Sequence, residues 1–243
     1  MLLRDAPQGI EVFMLRRSSR STFAPDAYVF PGGTLEAQDV MACKRAVGVD
    51  ADRVRRLFRG EQDPETRVQA ALMVTAVREL FEECGVLFAC DSTQEPMEAY
   101  RREDLESLRK GHLSFYDFLT ATELYADARP LLLFSRWITP QSEPRRYDVF
   151  FFVAPAPQAQ HAEADAVETH DGIWLVPRDA IRRADAGELH IIFPTRKHLE
   201  RLRAFESVAA AMTVARTKPI RTVTAESAAQ EALGLPPELE DSW

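Results

Sequence analysis

The stretch RELFEECGV, Arg78–Val86, carries the residues that decide the fold of this 243-residue chain. A helix turns by about 100° per residue, so the glutamates at positions 79, 82 and 83 share one side of one turn. Like charges four residues apart, here Glu79 and Glu83, destabilise a helix unless something binds them. A divalent cation would do so, and carboxylate oxygens favour Mg²⁺ or Mn²⁺ over Zn²⁺. A solvated acidic face, in which Arg78 pairs with Glu82, is the alternative interpretation.

The helix that carries these glutamates is predicted from its end signals and from its apolar spacing. Asp63 is a suitable N-cap, Pro64 suits the first turn, and Gly85 ends the helix. Apolar side chains recur at spacings of three and four residues, and they are Val77, Leu80, Phe81 and Cys84. The pattern therefore predicts an amphipathic helix from about residue 63 to residue 84.

A second segment, VFPGGTLEAQD at residues 29–39, contains the only Gly-Gly pair of the chain. Its FPGGTLE and the later RELFEECGV resemble the two halves of the Nudix box, G-x5-E-x7-R-E-U-x-E-E-x-G-U, where U is apolar. The resemblance implies an α/β fold, a Nudix-type α/β/α sandwich with a mixed β-sheet and extra helices. It also implies an enzyme that hydrolyses a nucleoside diphosphate linked to another moiety, with Mg²⁺ or Mn²⁺ as cofactor.

The resemblance also implies roles for individual residues. Glu79, Glu82 and Glu83 would hold the metal, with the backbone carbonyl of Gly33 as a further ligand. Glu82 would complete the metal shell directly or through water, and Arg78 would hold its orientation. Glycine suits position 33 because no side chain stands between its backbone and the metal.

The chain departs from the Nudix pattern in two places. Asp39 stands six residues after Gly33, where the pattern has Glu. The pattern would also place its Arg at position 47, whereas this chain has it at Arg78, so about 31 residues are inserted. Counting back eight residues from Arg78 gives Ala70, so no acid fills the slot from the helix side.

The interrupted box is similar to that of the coenzyme A diphosphatase branch of the family. Further stretches resemble that branch, and they are FAPDAYVFPGGTLEAQD, AVRELFEECGVLFA, SRWITP, RRYDVFFFVA and IIFPTRKHLERLRAF. The resemblance implies cleavage of coenzyme A or an acyl-CoA to 3′,5′-ADP and a 4′-phosphopantetheine. Two alternatives stay open: an ADP-ribose, dinucleotide or nucleoside triphosphate pyrophosphatase, and a non-catalytic Nudix-fold ligand sensor.

Hydrolysis also needs a general base, and family members often take a glutamate from a loop beyond the box. Glu163 and Glu168 are the candidates, and Glu168 is preferred because it lies six residues before Trp174, at the entrance to the predicted strand GIWLVP. A solvated loop carboxylate is the alternative for Glu168.

Arginines at two predicted strand ends are candidates for binding substrate phosphates. Arg16 and Arg17 follow the first predicted strand, and Arg145 and Arg146 precede the YDVFFF strand. Guanidinium groups bind phosphates through paired hydrogen bonds. Surface strand-end positions are the alternative. Similarly, Phe134 and Trp137 would either stack on adenine or, as is favoured, pack in the core.

Alternating strand and helix patterns predict an α/β or α+β domain. The resemblance implies one Nudix domain over residues 1–215, with helical insertions at about 40–62 and 97–126. The pattern predicts strands at Ile10–Leu15, PLLLFSRWITP, RRYDVFFFVA and GIWLVP, and one helix running on from Pro194. DVFFFVAPAP is expected to be a central strand. Residues 216–243 are predicted to form a loosely packed C-terminal tail.

Net charge, the length of apolar runs and the cysteine pattern exclude some classes of function for this chain. The formal net charge of −8 and the lack of a long basic run argue against nucleic acid as a partner. The resemblance implies a small nucleoside diphosphate-linked molecule as the substrate. No apolar run is long enough for a membrane span. Three cysteines without a CxxC pair favour a reducing compartment, and a cytoplasmic location is expected. A homodimer is left open.

Overall fold

The computed structural model describes residues 1–21, 24–59, 65–139, 141, 145–165 and 169–224. Within these ranges the chain forms ten strands. The strands are β1 Leu2–Ala6, β2 Gly9–Arg17, β3 Tyr28–Val29, β4 Ala46–Val47, β5 Ala89–Cys90, β6 Tyr125–Asp127, β7 Leu132–Ile138, β8 Asp148–Pro155, β9 Thr169–Leu175 and β10 Thr222–Thr224. The same ranges contain eight α-helices. They are α1 Ala37–Ala42, α2 Ala51–Leu57, α3 Thr66–Cys84, α4 Arg102–Arg109, α5 Phe115–Ala121, α6 Pro177–Asp185, α7 Phe193–Leu202 and α8 Val208–Thr217.

The larger sheet has the strand order β10-β7-β8-β1-β2-β3, and β9 pairs with β2 outside this path. β1 lies antiparallel to β2 and parallel to β8, while β7 lies antiparallel to β8 and parallel to β10. The sheet is therefore mixed, and the predicted α/β class is confirmed. A smaller sheet has the order β4-β6-β5.

The predicted strands are present, and β8 is central because β7 and β1 flank it. Its burial is uneven: Val153 is fully buried, whereas Val149 is 38% exposed. β1, which joins β8 to β2, was not predicted from the sequence.

α3 begins at Thr66, after the N-cap Glu65, and ends at Gly85 in the left-handed conformation. The predicted capping residues Asp63 and Pro64 lie outside the described residues. The predicted apolar stripe is buried, as expected for a helix packed in the core. α3 contacts α1, α2 and α4, while α8 contacts β1, β7 and β8.

The single helix predicted to run on from Pro194 is wrong, because the chain forms α7 and α8 with a break at residues 203–207. Ser207 caps α8 through a hydrogen bond from the Ala210 N–H to its side chain, and Asp5 accepts a second bond from the Val208 N–H. A serine that binds the backbone in this way favours a helix start over a helix interior.

The predicted loose tail over residues 216–243 begins with packed residues. Thr222–Thr224 forms β10 on β7, and both Ile220 and Val223 are buried. Residues 225–243 lie outside the described part of the chain. The helices α2, α4 and α5 fall in the two segments interpreted as insertions.

An aromatic cluster fills the core between β7, β8 and α7. His198 is fully buried, its Nε2 lies 2.6 Å from the Ser135 hydroxyl, and its Nδ1 lies 2.6 Å from the Pro194 carbonyl oxygen. Burial lowers the pKa of His198 to about 3. Phe134 and Trp137 lie beside this ring and are buried, so both pack in the core as favoured from sequence. No helix in the described ranges is long and apolar enough to cross a bilayer.

Candidate active site

The glutamates predicted to bind the metal lie on the last two turns of α3. Gly85 ends the helix at φ 66°, and its N–H donates to the Phe81 carbonyl oxygen at 2.8 Å. Phe81 and Cys84 are fully buried. Because these two side chains face the core, the turn points Glu79, Glu82 and Glu83 toward its other side.

Arg78 and Asp39 form a buried ion pair that joins α3 to α1. Arg78 Nε donates to Asp39 Oδ1 at 2.7 Å, and Arg78 Nη2 donates to Asp39 Oδ2 at 3.0 Å. Thr75 Oγ1 also donates to Asp39 Oδ2, at 2.9 Å. The side chains of Arg78 and Asp39 are 2% and 0% exposed. The acid-to-helix contact of the box is therefore made by the shorter Asp39, at the position where the pattern has Glu.

The same guanidinium also holds two of the helical glutamates and the glycine loop. Arg78 Nη1 lies 2.9 Å from Glu79 Oε1 and 3.0 Å from Glu82 Oε2, and Nη2 donates to the Thr34 carbonyl oxygen at 2.9 Å. Burial works to lower the pKa of Arg78, but Asp39, Glu79 and Glu82 outweigh it and raise that pKa. Arg78 therefore stays charged and orients the acids around it.

The glycine loop forms the opposing wall of the site. A Cβ on Gly33 would stand only 2.2 Å from Glu79 Oε1, so the carboxylate occupies the space that any side chain at 33 would need. The Gly32 N–H donates to Glu83 Oε2 at 2.8 Å. The two segments separated in sequence are thus parts of one site.

Glu79 has a perturbed ionisation. Burial raises the pKa of Glu79 to about 7, against the opposing effect of Arg78, and Glu82 adds to the rise. Burial also raises the pKa of Glu82, again opposed by Arg78. Carboxylates that resist ionisation in this way gain from a nearby positive charge.

The donors gathered here are carboxylate oxygens beside a glycine backbone, which is the ligand chemistry of a hard divalent cation. In the present arrangement Arg78 and the Gly32 N–H hold these carboxylates. Among the described residues, no three Asp, Glu, His or Cys side chains stand together at metal-ligand spacing. The residue types therefore fit a divalent metal ion. In this structure the bonds from Arg78 and from the Gly32 N–H set the distances between the carboxylates.

The loop that follows β8 meets the end of α3. The Glu163 N–H donates to the Cys84 carbonyl oxygen at 2.9 Å. The Gln160 side chain accepts from the Leu87 N–H at 2.7 Å and donates to the carbonyl oxygens of Leu87 and Met97. Glu163 is thus close to the carboxylate turn, whereas Glu168, the preferred general base, lies outside the described residues.

Two of the arginines predicted to bind phosphates, Arg16 and Arg146, bind other protein groups in the structure. Arg16, the residue before the last one of β2, forms ion pairs with Asp26 at 2.9 Å and with Asp171 at 3.6 Å. Arg146 Nε donates to the Thr139 carbonyl oxygen at 3.3 Å.

Arg17 pairs through its backbone N–H with the Ala27 carbonyl oxygen, and Arg145 is exposed. Because β1 runs antiparallel to β2 and parallel to β8, the Arg16 and Arg146 strand ends lie at the same end of the sheet. A phosphate-binding role for the four arginines stays a prediction.

Sequence reasoning missed three residues that organise this site. Thr75, three residues before Arg78 on the helix, carries the only prior signal, since that spacing places both on one face. Arg109 and Tyr100 approach the end of α3 from the segment around α4, and nothing in their local sequence indicated this contact.

A family model for the NUDT19 Nudix domain matches residues 4–202. The chain is 27% identical to the Gallus gallus acyl-coenzyme A diphosphatase NUDT19, covering 83% of this chain and 63% of that protein. It is 24% identical to the Homo sapiens acyl-coenzyme A diphosphatase NUDT19, covering 83% and 62%. The chain therefore spans less than two thirds of the length of these relatives.

The fold also matches a solved structure. The crystal structure of a NUDIX hydrolase from Alicyclobacillus acidocaldarius superposes with a TM-score of 0.76 at 31% sequence identity. The match covers 87% of this chain and 92% of that one. The predicted Nudix-type fold is therefore confirmed.

Proposed function

The chain belongs to the Nudix family, and on this premise we propose that it hydrolyses the diphosphate linkage of coenzyme A or an acyl-coenzyme A. Water would add to one phosphorus of the linkage, and the products would be 3′,5′-ADP and the (acyl-)4′-phosphopantetheine. The observation that carries the proposal is the meeting of Gly32 and Gly33 with the Glu79–Glu83 turn around Arg78. The names of the two NUDT19 relatives support the substrate.

Glu79, Glu82, Glu83 and the Gly33 carbonyl are the proposed ligands of Mg²⁺ or Mn²⁺. A bound divalent cation would supply charge neutralisation for the diphosphate and polarise the attacked phosphorus. Arg78 would hold Glu79 and Glu82 in place, because its own position is set by the buried pair with Asp39. Gly33 would let the substrate and the loop backbone approach the carboxylates without a side chain between them.

A carboxylate from the loop after β8 is proposed as the general base. The bond from the Glu163 N–H to Cys84 supports this loop as its source, since it places the loop beside the carboxylate turn. Glu168 remains the preferred base and Glu163 the alternative. Glu168→Gln is expected to lower kcat by about 10²–10⁴-fold, the usual range for a general base. An equal or larger loss in Glu163→Gln alone would transfer the role to Glu163.

The four arginines Arg16, Arg17, Arg145 and Arg146 are proposed to bind the phosphates of the substrate. The shared sheet end of Arg16 and Arg146 supports this, although Arg16 would first have to exchange Asp26 or Asp171 for a phosphate. Arg146→Gln is expected to raise KM for coenzyme A more than KM for 3′-dephospho-coenzyme A, which lacks one phosphate.

One substrate panel tests the activity. The chain is incubated with Mg²⁺ or Mn²⁺ and with coenzyme A, an acyl-CoA, ADP-ribose, NADH or dNTPs, and the products are resolved. Release of 3′,5′-ADP from coenzyme A is the expected result. Cleavage of ADP-ribose but not of coenzyme A would overturn the substrate, and no turnover by a folded chain would favour a ligand sensor.

A pair of matched variants tests whether the Glu83 carboxylate binds the metal. Glu83→Gln is expected to remove turnover while the fold persists, because it removes one proposed metal ligand. Glu65→Gln is the control, since it makes the same change at the exposed N-cap of the same helix. Full turnover in Glu83→Gln would mean that other residues hold the metal.

A further inference from the structure

Arg109, the last residue of α4, reaches the final turn of α3. Its Nε donates a hydrogen bond of 2.6 Å to the backbone carbonyl oxygen of Glu82. The last four carbonyls of a helix have no partner within the helix, and a cation near them is favoured by the helix dipole. The contact thus satisfies an open acceptor in a residue whose side chain belongs to the candidate site.

Glu82 is consequently held at two points by two arginines from different segments. Arg78 Nη1 donates to its side-chain Oε2 at 3.0 Å, and Arg109 Nε donates to its backbone oxygen. Glu83 follows directly in the chain and shares the turn. A shift of the Glu82 backbone would therefore move both carboxylates relative to the glycine loop.

The segment that leads into α4 packs against Phe81, the apolar residue inside the carboxylate turn. The Tyr100 ring packs edge-on against Phe81 with centroids 4.8 Å apart, and its hydroxyl donates to the Gly85 carbonyl oxygen at 2.6 Å. The ring centroid of Phe118, on α5, lies 5.4 Å from that of Phe81. Hence the end of α3 packs against Tyr100, against α4 and against α5.

We propose that Arg109 is a positioning residue for the carboxylate turn of α3. Its hydrogen bond fixes the backbone of Glu82, and thereby the directions in which Glu82 and Glu83 present their carboxylates. The inference rests on the proposed function to the extent that these carboxylates bind the cation. Because Arg109 binds the Glu82 backbone, it would act through Glu82 rather than directly on the cation or the substrate.

The test measures the affinity of the full chain for Mn²⁺ alone, by the electron paramagnetic resonance signal of free Mn²⁺. Arg109→Met keeps an unbranched apolar stem and removes the donor and the charge of the side chain. It is expected to weaken Mn²⁺ binding by about tenfold, the lower end for groups that orient metal ligands. Arg109→Lys, which restores a cation at the helix end, is expected to recover part of the affinity.

Arg102→Met is the matched control, because it removes an exposed arginine from the start of the same helix. In the described part of the chain, Arg102 makes no hydrogen bond to α3. Its Mn²⁺ affinity is expected to match the wild type within about twofold, well below the effect of an orienting group. An unchanged affinity in Arg109→Met, or an equal loss in Arg102→Met, would overturn the inference.

Turnover separates this inference from the proposed function. In Arg109→Met, saturating Mn²⁺ is expected to restore most of kcat, with KM for coenzyme A unchanged. If the wild type binds Mn²⁺ but cleaves no diphosphate, the proposed function fails and the affinity test still decides the role of Arg109. If Arg109→Met does not fold, Arg109→Leu, which also lacks a donor and a charge, takes its place with the same outcomes. A wild-type chain that binds no Mn²⁺ overturns the inference as well.

Discussion

Gly33→Ala would place a methyl group in the space that the Glu79 carboxylate fills. The added Cβ would stand 2.2 Å from Glu79 Oε1, 2.5 Å from Cδ and 2.7 Å from Oε2, distances that real contacts do not reach. Gly33 is not among the residues with positive φ, so alanine meets no backbone strain there. The full cost of the substitution therefore falls on Glu79.

The magnitude follows from the bond that Glu79 would lose. Moving its carboxylate breaks the 2.9 Å contact with Arg78 Nη1, while Arg78 keeps Asp39 and Glu82. One charge-assisted hydrogen bond contributes about 1.5–3 kcal/mol. The displaced carboxylate regains water, so we expect Gly33→Ala to lower the free energy of unfolding by about 1.5 kcal/mol, the lower end of that range.

A double-mutant cycle measured by urea unfolding isolates this clash. In a Glu79→Ala background the methyl group has room, so Gly33→Ala is expected to change the free energy of unfolding by less than about 0.5 kcal/mol. Gly111→Ala is the control, because Gly111 has φ 69° and open space around it. Its cost comes from backbone strain alone and should be equal in both backgrounds. An equal cost of Gly33→Ala in both backgrounds would refute the clash with Glu79.

Three further outcomes are expected. Because the pKa of His198 is lowered from 6.5 to about 3, the unfolded chain binds more protons below pH 6.5. The contribution of His198 to the free energy of unfolding should thus fall by about 1.6 kcal/mol between pH 6.5 and pH 5, so the pH dependence of urea unfolding should differ by this amount between the wild type and His198→Gln. Asp39→Asn leaves the buried Arg78 underpaired and should lower the free energy of unfolding by about 3–5 kcal/mol, which thermal melts would detect. Ser207→Ala removes the cap on the Ala210 N–H and should cost about 1 kcal/mol in the same melts.

The parts of the fold that depend on local spacing were predictable from sequence. The α3 stripe and the shared side of Glu79, Glu82 and Glu83 follow from helix geometry alone, and the alternating pattern located β2. The break before α8 was not predicted, because it depends on Asp5, far away in the chain, as well as on Ser207. A local pattern contains no information about such a distant cap.

For the candidate site as well, the local motifs were predictable from sequence and the contacts between them were not. The glycine loop and the carboxylate turn were recognised, but their contact through Arg78 depends on how α1 packs against α3. Asp39 is one methylene shorter than the glutamate of the pattern, so only the packing shows that it reaches Arg78. Arg109 was missed for the same reason, since its partner lies 27 residues earlier on another helix.

The interrupted box can still form one site because hydrogen bonds hold the described part of the intervening segment in place. Arg53 on α2 donates to the carbonyl oxygens of Gly48, Ala128 and Leu131, and Asp50 caps α2. The Nudix pattern separates its acid and Arg by eight residues, whereas Asp39 and Arg78 are 39 apart. Closing the longer loop costs only about 1.4 kcal/mol more, because this entropy grows with the logarithm of length. The bonds of Arg53 and the buried Asp39–Arg78 pair are together large enough to offset that cost, so the insertion lengthens the connection without separating the two walls of the site.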